Sequence, residues 1–579
     1  MRAKQKKNSA AFRIAVIGGV FGFFMAVIAV RAVYIQAFCN EILSEKAANQ
    51  YKKLMISRGK RGTIFDRNYK EMAITVDVAS IAAYPGQMEG MPQIAKALAK
   101  ELQINRKELS QKLSSGKTFV WVKRQTTPKE TTNIKDLQFS GIDFISEDGR
   151  FYPSKTLAAQ VLGFSGIDGH GLEGVEFFYD RYLQGEKGEF KIVRDALGRG
   201  LNDRKSPEVE NGGKNLILTL DSNIQYIAER TLQEAVDSYL GESGTAIVMV
   251  PKTGAVLAMA HYPFVNPNAF RSYNRETWRN RAVADSFEPG STMKIFTAAA
   301  AIESGECTPS SVFFAENGEY RIGKHVIHDV HPHGWLTLAE IVKYSSNIGA
   351  AKVSQMIGPE TLHKTLSGFG FGEKTQIDCP GEVMGNVPPF QRWAKIDSAV
   401  IAFGQGISVS AIQLISAVSA IANDGILMKP YMVQGITDKN GRILVGFAPK
   451  KVRRAISKET ASTLKTIMAA VIEKGGTGAG AALDGYSVSG KTGTAQKADK
   501  KGGYAKGRYL SSFVGFAPVE NTEIAVLVII DEPKKAYYGG TVAGPAFKKI
   551  AQETLSYLNI PPAGNPDQIT VQLKHEATG

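Results

Sequence analysis

Ser291 and Lys294 stand three residues apart in Glu288-Pro289-Gly290-Ser291-Thr292-Met293-Lys294, and good helix formers run from Ile295 to Ile302. Pro-Gly stops the element before it, so the spacing puts Ser291 in the first turn of a helix with Lys294 on the same face. A serine hydroxyl is a weak nucleophile until a base takes its proton. A lysine one turn away can be that base if its amine is neutral, and burial and the positive end of a helix both favour the neutral form. Alone, these residues far more often mark an N-cap serine beside a surface lysine. Two further segments shift the balance. Ser345-Ser346-Asn347 follows a helix predicted over 336–343, and Ser487 to Ala495 reads as a hydroxyl-rich strand containing Lys491, Thr492, Gly493 and Thr494. Neither motif carries weight singly; the three in this order do.

Other candidate groups point to less. His325, His328, His331 and His333 surround Asp329, but their spacing fits no zinc pattern, and Pro332 and Gly334 mark an irregular loop. No metal or other cofactor is expected. Asp531-Glu532 reads as a strand end rather than an acid pair.

The elements that must position the motifs follow an α+β pattern. A strand over 215–220 leads to Asp221, a cap for a helix carrying Ile224, Ile227, Ala228, Leu232, Ala235, Val236 and Tyr239 at helical spacing. Strands over 244–250 and 255–260 form a hairpin through Pro251-Lys252-Thr253-Gly254. Strands over 514–516 and 524–530 come near the end, so distant segments complete one sheet. Upstream, helices are expected over 41–54, 93–102 and 106–113, and strands over 63–65 and 118–122. Nothing there pairs a nucleophile with a base. Arg61, Asp66, Arg150 and Glu173 read as buried Arg–acid pairs holding subdomains together, with an allosteric or partner-binding surface as the alternative.

The chain's 579 residues give room for about three domains. Arg2, Lys4, Lys6, Lys7 and Arg13 precede an uncharged apolar run from Ile14 to Val30 that stays apolar through to Phe38. That length spans a bilayer as a helix, and the flanking cations put the N-terminus in the cytoplasm. A cleaved signal peptide is the alternative, but no small-x-small site follows. A net charge of +15 suits an anionic partner. No nucleic-acid-binding motif is present, which leaves a membrane surface or an acidic polymer. Three cysteines, Cys39, Cys307 and Cys379, give no disulfide framework, and a Cys307–Cys379 pair stays open.

Ser-x-x-Lys, Ser-x-Asn and Lys-Thr-Gly together are the motif set of penicillin-binding proteins and serine β-lactamases. The chain resembles the class B penicillin-binding proteins, and within them the septal, FtsI-type branch, from residue 12 to about 563. The likeness includes Arg61-Gly62-Thr63-Ile64-Phe65-Asp66-Arg67, Phe287-Glu288-Pro289-Gly290-Ser291, Gly404-Gln405-Gly406-Ile407 and Tyr538-Gly539-Gly540. Ser346 stands where β-lactamases often carry Asp, as is usual in class B.

The resemblance implies a basic cytoplasmic tail (1–13), a transmembrane helix (14–38) and a pedestal or dimerisation-type module (39–213). A transpeptidase domain (214–563), an antiparallel sheet flanked by helices, and a flexible tail (564–579) would follow. It implies a catalytic set of Ser291, Lys294, Ser345, Asn347 and Lys491, with Thr492, Gly493 and Thr494 binding substrate. Ser291 would attack the D-Ala-D-Ala end of a peptidoglycan stem peptide, and a second strand's amine would take the acyl group. Lys294 would be the base, with Lys491 as a like charge that favours its neutral amine. Ser345 would relay a proton and Asn347 would hold Lys294 and the substrate amide. Lys491, Thr492 and Thr494 would receive the terminal carboxylate, and the N–H groups of Ser291 and Thr494 would form an oxyanion hole. β-Lactams would acylate Ser291 as mimics. Expected partners are an FtsW-type membrane glycosyltransferase, other divisome proteins and the inner membrane. A β-lactamase or D,D-carboxypeptidase is the competing enzyme reading, and a β-lactam sensor or inactive scaffold the non-enzymatic one.

Overall fold

The computed structural model of the chain describes residues 4–39, 52–185, 187–193, 212–499 and 502–562. It divides into two compact units, one of Met1–Gly59 with Gly185–Gly212, the other of Lys60–Gln184 with Gly213–Gly579.

The first unit contains the helix Lys4–Phe38, 35 residues and thus about 50 Å long. Every residue from Ala10 to Phe38 is exposed, among them Ile14, Phe21, Phe24 and Val30. A helix apolar all round that no other described residue covers suits hydrocarbon. In the same unit Lys52–Arg58 pairs antiparallel with Lys187–Val193, Lys52 opposite Val193. This corrects the helix expected over 41–54: residues 40–51 lie outside the described residues, and from Lys52 onward the backbone is strand. A partner about 130 residues away overrides the local helical pattern there. The tail over 564–579 also lies outside the described residues.

The second unit is built on two sheets. The first is antiparallel, in the order Ser489–Ala498, Tyr504–Ala517, Ile524–Asp531, Ser243–Val250, Ala255–Tyr262. Its central strands are apolar on both faces, and the alternation shows where each face goes. Ile247, Met249 and Leu527 enter one core with the helices Lys294–Glu303 and Ala411–Ala422. Ala246, Val248, Val526 and Val528 enter a second core with the helices Ser222–Tyr239 and Gly544–Tyr557. A sheet covered on both sides needs such continuous apolar strands. Asp221 caps Ser222–Tyr239 as expected, accepting from Asn223 N at 3.0 Å.

The second sheet runs in the order Ile443–Gly446, Val433–Thr437, Asn215–Leu218, Ile64–Phe65, Glu71–Ala83, Val120–Thr126, with Ile142–Phe151 also on Glu71–Ala83. Ile64 pairs parallel with Leu216. The upstream segment and the later chain therefore share one sheet, which sequence spacing did not foretell.

Buried arginines do hold this region together, but with a different acid. Arg61 and Arg150 both pair with Glu176 at 2.6 Å, and Arg61 also reaches Asp180 at 2.6 Å. Burial alone would raise the Glu176 carboxyl, but Arg150 and Arg61 outweigh it and hold it below the ordinary value. Glu173 is exposed, because it precedes the helix Gly174–Phe178 whose inner face presents Glu176. Among the described residues Asp66 pairs with no arginine; it accepts the N–H groups of Asn68, Lys70 and Ser222. Cys307 and Cys379 are unpaired and buried, Cys307 Sγ beside Met356 Sδ at 3.7 Å and Cys379 Sγ accepting from Asn280 Nδ2 at 3.4 Å.

Candidate active site

Ser291 lies in a single 3-10 turn, Gly290–Met293, that runs directly into the helix Lys294–Glu303. Lys294 through Ala301 are buried. The run Ala298 to Ala301 keeps this helix slim enough to sit centrally, against the helices Asn347–Gly368 and Lys458–Ala470. Lys294 is 1 % exposed and Lys491 0 %. Both lysine side chains are thus withdrawn behind a serine that is half-buried.

The Ser345–Asn347 segment is shaped by a break between two helices. Leu338–Tyr344 ends at Ser345, which takes the left-handed conformation (φ 64°, ψ 41°). Ser346 then caps Asn347–Gly368, its Oγ accepting from Gly349 N at 2.9 Å. A non-glycine residue in that region costs on the order of 1–2 kcal/mol. The turn brings both oxygens of Ser345 to Lys294, whose Nζ lies 2.6 Å from the Ser345 carbonyl and 3.1 Å from its Oγ. Nζ also lies 2.9 Å from Ser291 Oγ and 2.7 Å from Asn347 Oδ1. Asn347 cannot be turned round, since its Nδ2 donates to the His328 carbonyl at 2.9 Å.

Lys491 enters from the edge strand Ser489–Ala498. Its Nζ is 3.1 Å from Ser345 Oγ and 3.2 Å from Thr492 Oγ1. Ser345 Oγ therefore bridges the two amines. Gly493 has no room for a side chain: a Cβ there would lie 2.3 Å from Ser512 Oγ and 3.0 Å from Thr292 Cγ2. This lets the strand press against the Ser291 turn. Thr494 Oγ1 accepts the Gly539 N–H at 3.0 Å, which fixes the hydroxyl at the strand's open side. All eight residues singled out in the sequence converge on this one locus.

The electrostatics favour a neutral base. Burial, and secondarily the Lys491 cation, lower Lys294 well below the ordinary lysine value, with Asp329 opposing. Burial alone lowers Lys491 to about 7. The contacts agree with this. Ser345 O and Asn347 Oδ1 can only accept, so they take both N–H groups of a neutral amine, and its lone pair is left for a hydroxyl proton. Ser291 Oγ–H is the hydroxyl on the solvent side.

The sequence missed Asp329 as anything but a metal-ligand decoy. Its Oδ1 accepts the N–H groups of Asn347 (2.5 Å) and Ile348 (3.0 Å), and its Oδ2 accepts the Ser346 hydroxyl at 2.5 Å. It is the anion at the start of the Asn347–Gly368 helix, seventeen or more residues away in sequence, where no local signature could announce it. His325–His328 is a strand paired with Glu319–Ile322, and His333 stacks on Tyr344. Glu288 was also unassigned. It accepts Gly406 N at 2.9 Å and the Tyr504 hydroxyl at 3.0 Å, so it joins the turn before Ser291 to the hairpin beyond Lys491.

Comparison with known proteins fits this geometry. Residues 244–552 match the penicillin binding protein transpeptidase domain family, and residues 56–218 the penicillin-binding protein dimerisation domain family. The chain belongs to the class B penicillin-binding transpeptidases. Among its relatives is the probable peptidoglycan D,D-transpeptidase PenA of Neisseria meningitidis, 35 % identical over 92 % of this chain and 90 % of PenA. The peptidoglycan D,D-transpeptidase FtsI of Escherichia coli is 32 % identical over 99 % of this chain and 96 % of FtsI. The crystal structure of penicillin binding protein 3 from Mycobacterium tuberculosis, complexed with aztreonam, superposes with a TM-score of 0.69 at 28 % identity, covering 88 % of this chain and 99 % of that one. A class B transpeptidase with the apolar helix Lys4–Phe38 fits a single-pass membrane anchor.

Proposed function

We infer that this transpeptidase cross-links peptidoglycan stem peptides at the division septum through an acyl-enzyme on Ser291. The observation that carries the mechanism is the buried Lys294 amine, held by two obligate acceptors with its remaining valence toward Ser291 Oγ. In the first half-reaction Lys294 takes the Ser291 proton as Oγ attacks the carbonyl between the two terminal D-alanines. The N–H groups of Ser291 and Thr494 receive the oxyanion, each worth about 3 kcal/mol. Ser345 passes its proton to the leaving nitrogen and takes the Ser291 proton back from Lys294, 3.1 Å away, and D-alanine departs. In the second half-reaction the amine of another strand attacks the ester carbonyl, its proton passes through Lys294 to Ser291 Oγ, and cleavage of the acyl C–O bond leaves the new amide and the Ser291 hydroxyl. Lys491, Thr492 and Thr494 hold the terminal carboxylate, Gly493 permits the close strand approach, and Asn347 orients Lys294 and the substrate amide. A β-lactam follows the first half and stalls.

Covalent labelling tests this. The intact mass of the wild type should rise by one benzylpenicillin and stay raised for hours, and Ser291→Ala should take no label. Rapid loss of the adduct would favour a β-lactamase or carboxypeptidase, and no adduct would favour an inactive scaffold.

The septal assignment, the FtsW-type glycosyltransferase and the other divisome partners rest on the similarity to FtsI. A fluorescent fusion should gather at midcell and depletion should give filaments; lateral wall signal and rounded cells would assign it to elongation. The five cations in residues 2–13 support a cytoplasmic N-terminus and an extracytoplasmic catalytic domain. A cysteine-labelling reagent that cannot cross membranes should reach Thr463→Cys but not Ser9→Cys.

A further inference from the structure

Ser345 and Lys491 touch directly, and a second set of contacts joins them through the turn that follows the helix Lys458–Ala470. That turn lies against the end of the helix Leu338–Tyr344. The Glu473 carboxylate pairs with Lys343 Nζ at 2.9 Å. The Thr477 N–H and hydroxyl both donate to the Lys343 carbonyl, at 3.4 and 3.3 Å. The turn also holds its own shape, since Gly476 N donates to the Glu473 carbonyl and Gly478 N to the Val471 carbonyl, each at 2.9 Å. Gly540 backs it from another side, where a Cβ would lie 2.2 Å from the Thr477 carbonyl oxygen. Thr477 is therefore exposed and yet fixed in place.

The protons in this chain of contacts can be assigned one by one. A carbonyl only accepts, so the single hydroxyl proton of Thr477 goes to Lys343. Thr477 Oγ1 can then only accept, and it accepts from Thr492 Oγ1 at 3.3 Å. With its proton committed there, Thr492 Oγ1 presents lone pairs to Lys491 Nζ at 3.2 Å. Lys491 Nζ gives another N–H to Ser345 Oγ at 3.1 Å, and its longest contact, 3.4 Å, is to the Thr492 carbonyl. Thr494 differs from Thr492: its Oγ1 accepts from Gly539 N, which leaves its own proton free. The contacts close a ring that runs from Lys343 through Thr477, Thr492, Lys491 and Ser345 and returns along the chain.

We propose that Thr477 is a positioning residue for the carboxylate-binding end of the site: it takes the Thr492 proton, holds Thr492 as an acceptor and so aims Lys491 into the cleft. This rests on the reading of Lys491 as receiver of the terminal carboxylate, and it gives the two threonines of that strand different tasks. Thr494 donates to the carboxylate itself. Thr492 serves through Lys491, whose long contact to the Thr492 carbonyl is the one that an arriving carboxylate replaces.

The test compares benzylpenicillin with its methyl ester, which keeps the ring and lacks the carboxylate, on the full chain in detergent micelles. Acylation is followed by intact mass. The free acid should react faster with the wild type, and the ratio of the two second-order rates measures carboxylate recognition. Thr477→Val keeps the N–H to Lys343 and the bulk of the side chain but cannot accept from Thr492. It should lower the ratio about three- to tenfold, the net effect of one hydrogen bond, and do so through the rate of the free acid. Thr477→Ser should restore the ratio. Thr492→Val should lower it too, and adding Thr477→Val to that variant should lower it no further, because the two residues act in series. An unchanged ratio in Thr477→Val, an equal fall in both rates, no restoration by serine, or additive losses in the double variant overturns the proposal. A wild type that reacts alike with acid and ester removes the carboxylate reading of Lys491 and this proposal with it. A wild type that prefers the acid, beside a Thr477→Val that keeps the preference, leaves that reading standing and sinks the proposal alone.

Discussion

Lys294 Nζ has four polar neighbours, and a neutral amine has two protons to give. That mismatch underlies the proposed chemistry at the residue scale, since two acceptors would consume the protons and leave the lone pair for Ser291. The pH dependence follows from two lysines with different tasks. By the proposed mechanism acylation needs Lys294 neutral, so the rate should rise as pH climbs through its lowered value. The same mechanism needs Lys491 charged to receive a carboxylate, and burial lowers Lys491 to about 7. The second-order rate of benzylpenicillin acylation should therefore fall above about pH 7, and Lys491→Arg, which stays charged, should flatten that limb. A wild-type rate that is level to pH 9 would show that Lys491 does not govern binding. Lys294→Ala should slow acylation by about 10²–10⁴-fold with little loss of folded protein.

At the scale of elements, the site depends on where one helix stops and the next begins. Ser345 ends a helix in the left-handed conformation so that its carbonyl and hydroxyl both face Lys294. Ser345→Gly should be as stable as the wild type or about 1 kcal/mol more stable, because glycine relieves the strain, yet its acylation should be slow for want of the hydroxyl. Ser345→Ala should be equally slow without the gain in stability. Thermal midpoints and acylation rates, measured together, separate the two effects. Asp329 fixes the start of the following helix through three accepted hydrogen bonds. Asp329→Ala should cut acylation about 10–100-fold, the equivalent of losing charge-assisted bonds worth 1.5–3 kcal/mol. Unchanged acylation would show that Ser346 alone can cap that helix.

Across the whole molecule, burial of polar groups away from the site shapes stability. Glu229 lies on the Ser222–Tyr239 helix, where one oxygen accepts from Ala158 N at 2.7 Å and Gln225 Nε2 at 2.8 Å. Burial raises its carboxyl from 4.5 to about 7, against those two hydrogen bonds. Between those values the folded chain keeps a proton that the unfolded chain has released, so stability falls as pH rises through that window and remains lower above it. Glu229→Gln keeps the accepting oxygen and has no charge to bury. It should match the wild type near pH 5 and exceed it at pH 8 by on the order of 1–3 kcal/mol, read as a higher thermal midpoint. A midpoint difference that does not change with pH would mean Glu229 is not the titrating group. The shared sheet from Ile443–Gly446 to Val120–Thr126 belongs to this scale as well, since it makes the upstream segment and the catalytic half one folding unit.

The candidate groups could be picked out in the chain because each set is local: Ser291 and Lys294 share a helical turn, Ser345 and Asn347 a helix junction, Lys491 and Thr494 a strand. The long apolar helix was legible because length and apolarity are enough to announce it. The α+β pattern and the return of strands near residues 514–530 could likewise be read from periodicity. What escaped is long-range partnership. Glu176 rather than Glu173 takes the arginines, because which acid faces inward depends on the phase of a five-residue helix. Asp329 reaches the Ser346 and Asn347 groups across a chain fold, and Lys52–Arg58 became strand because Lys187–Val193 offered it an edge. Periodicity reports which face of an element is apolar. It carries no record of which distant element arrives to cover that face, and that choice is made by packing and hydrogen bonding summed over the folded chain.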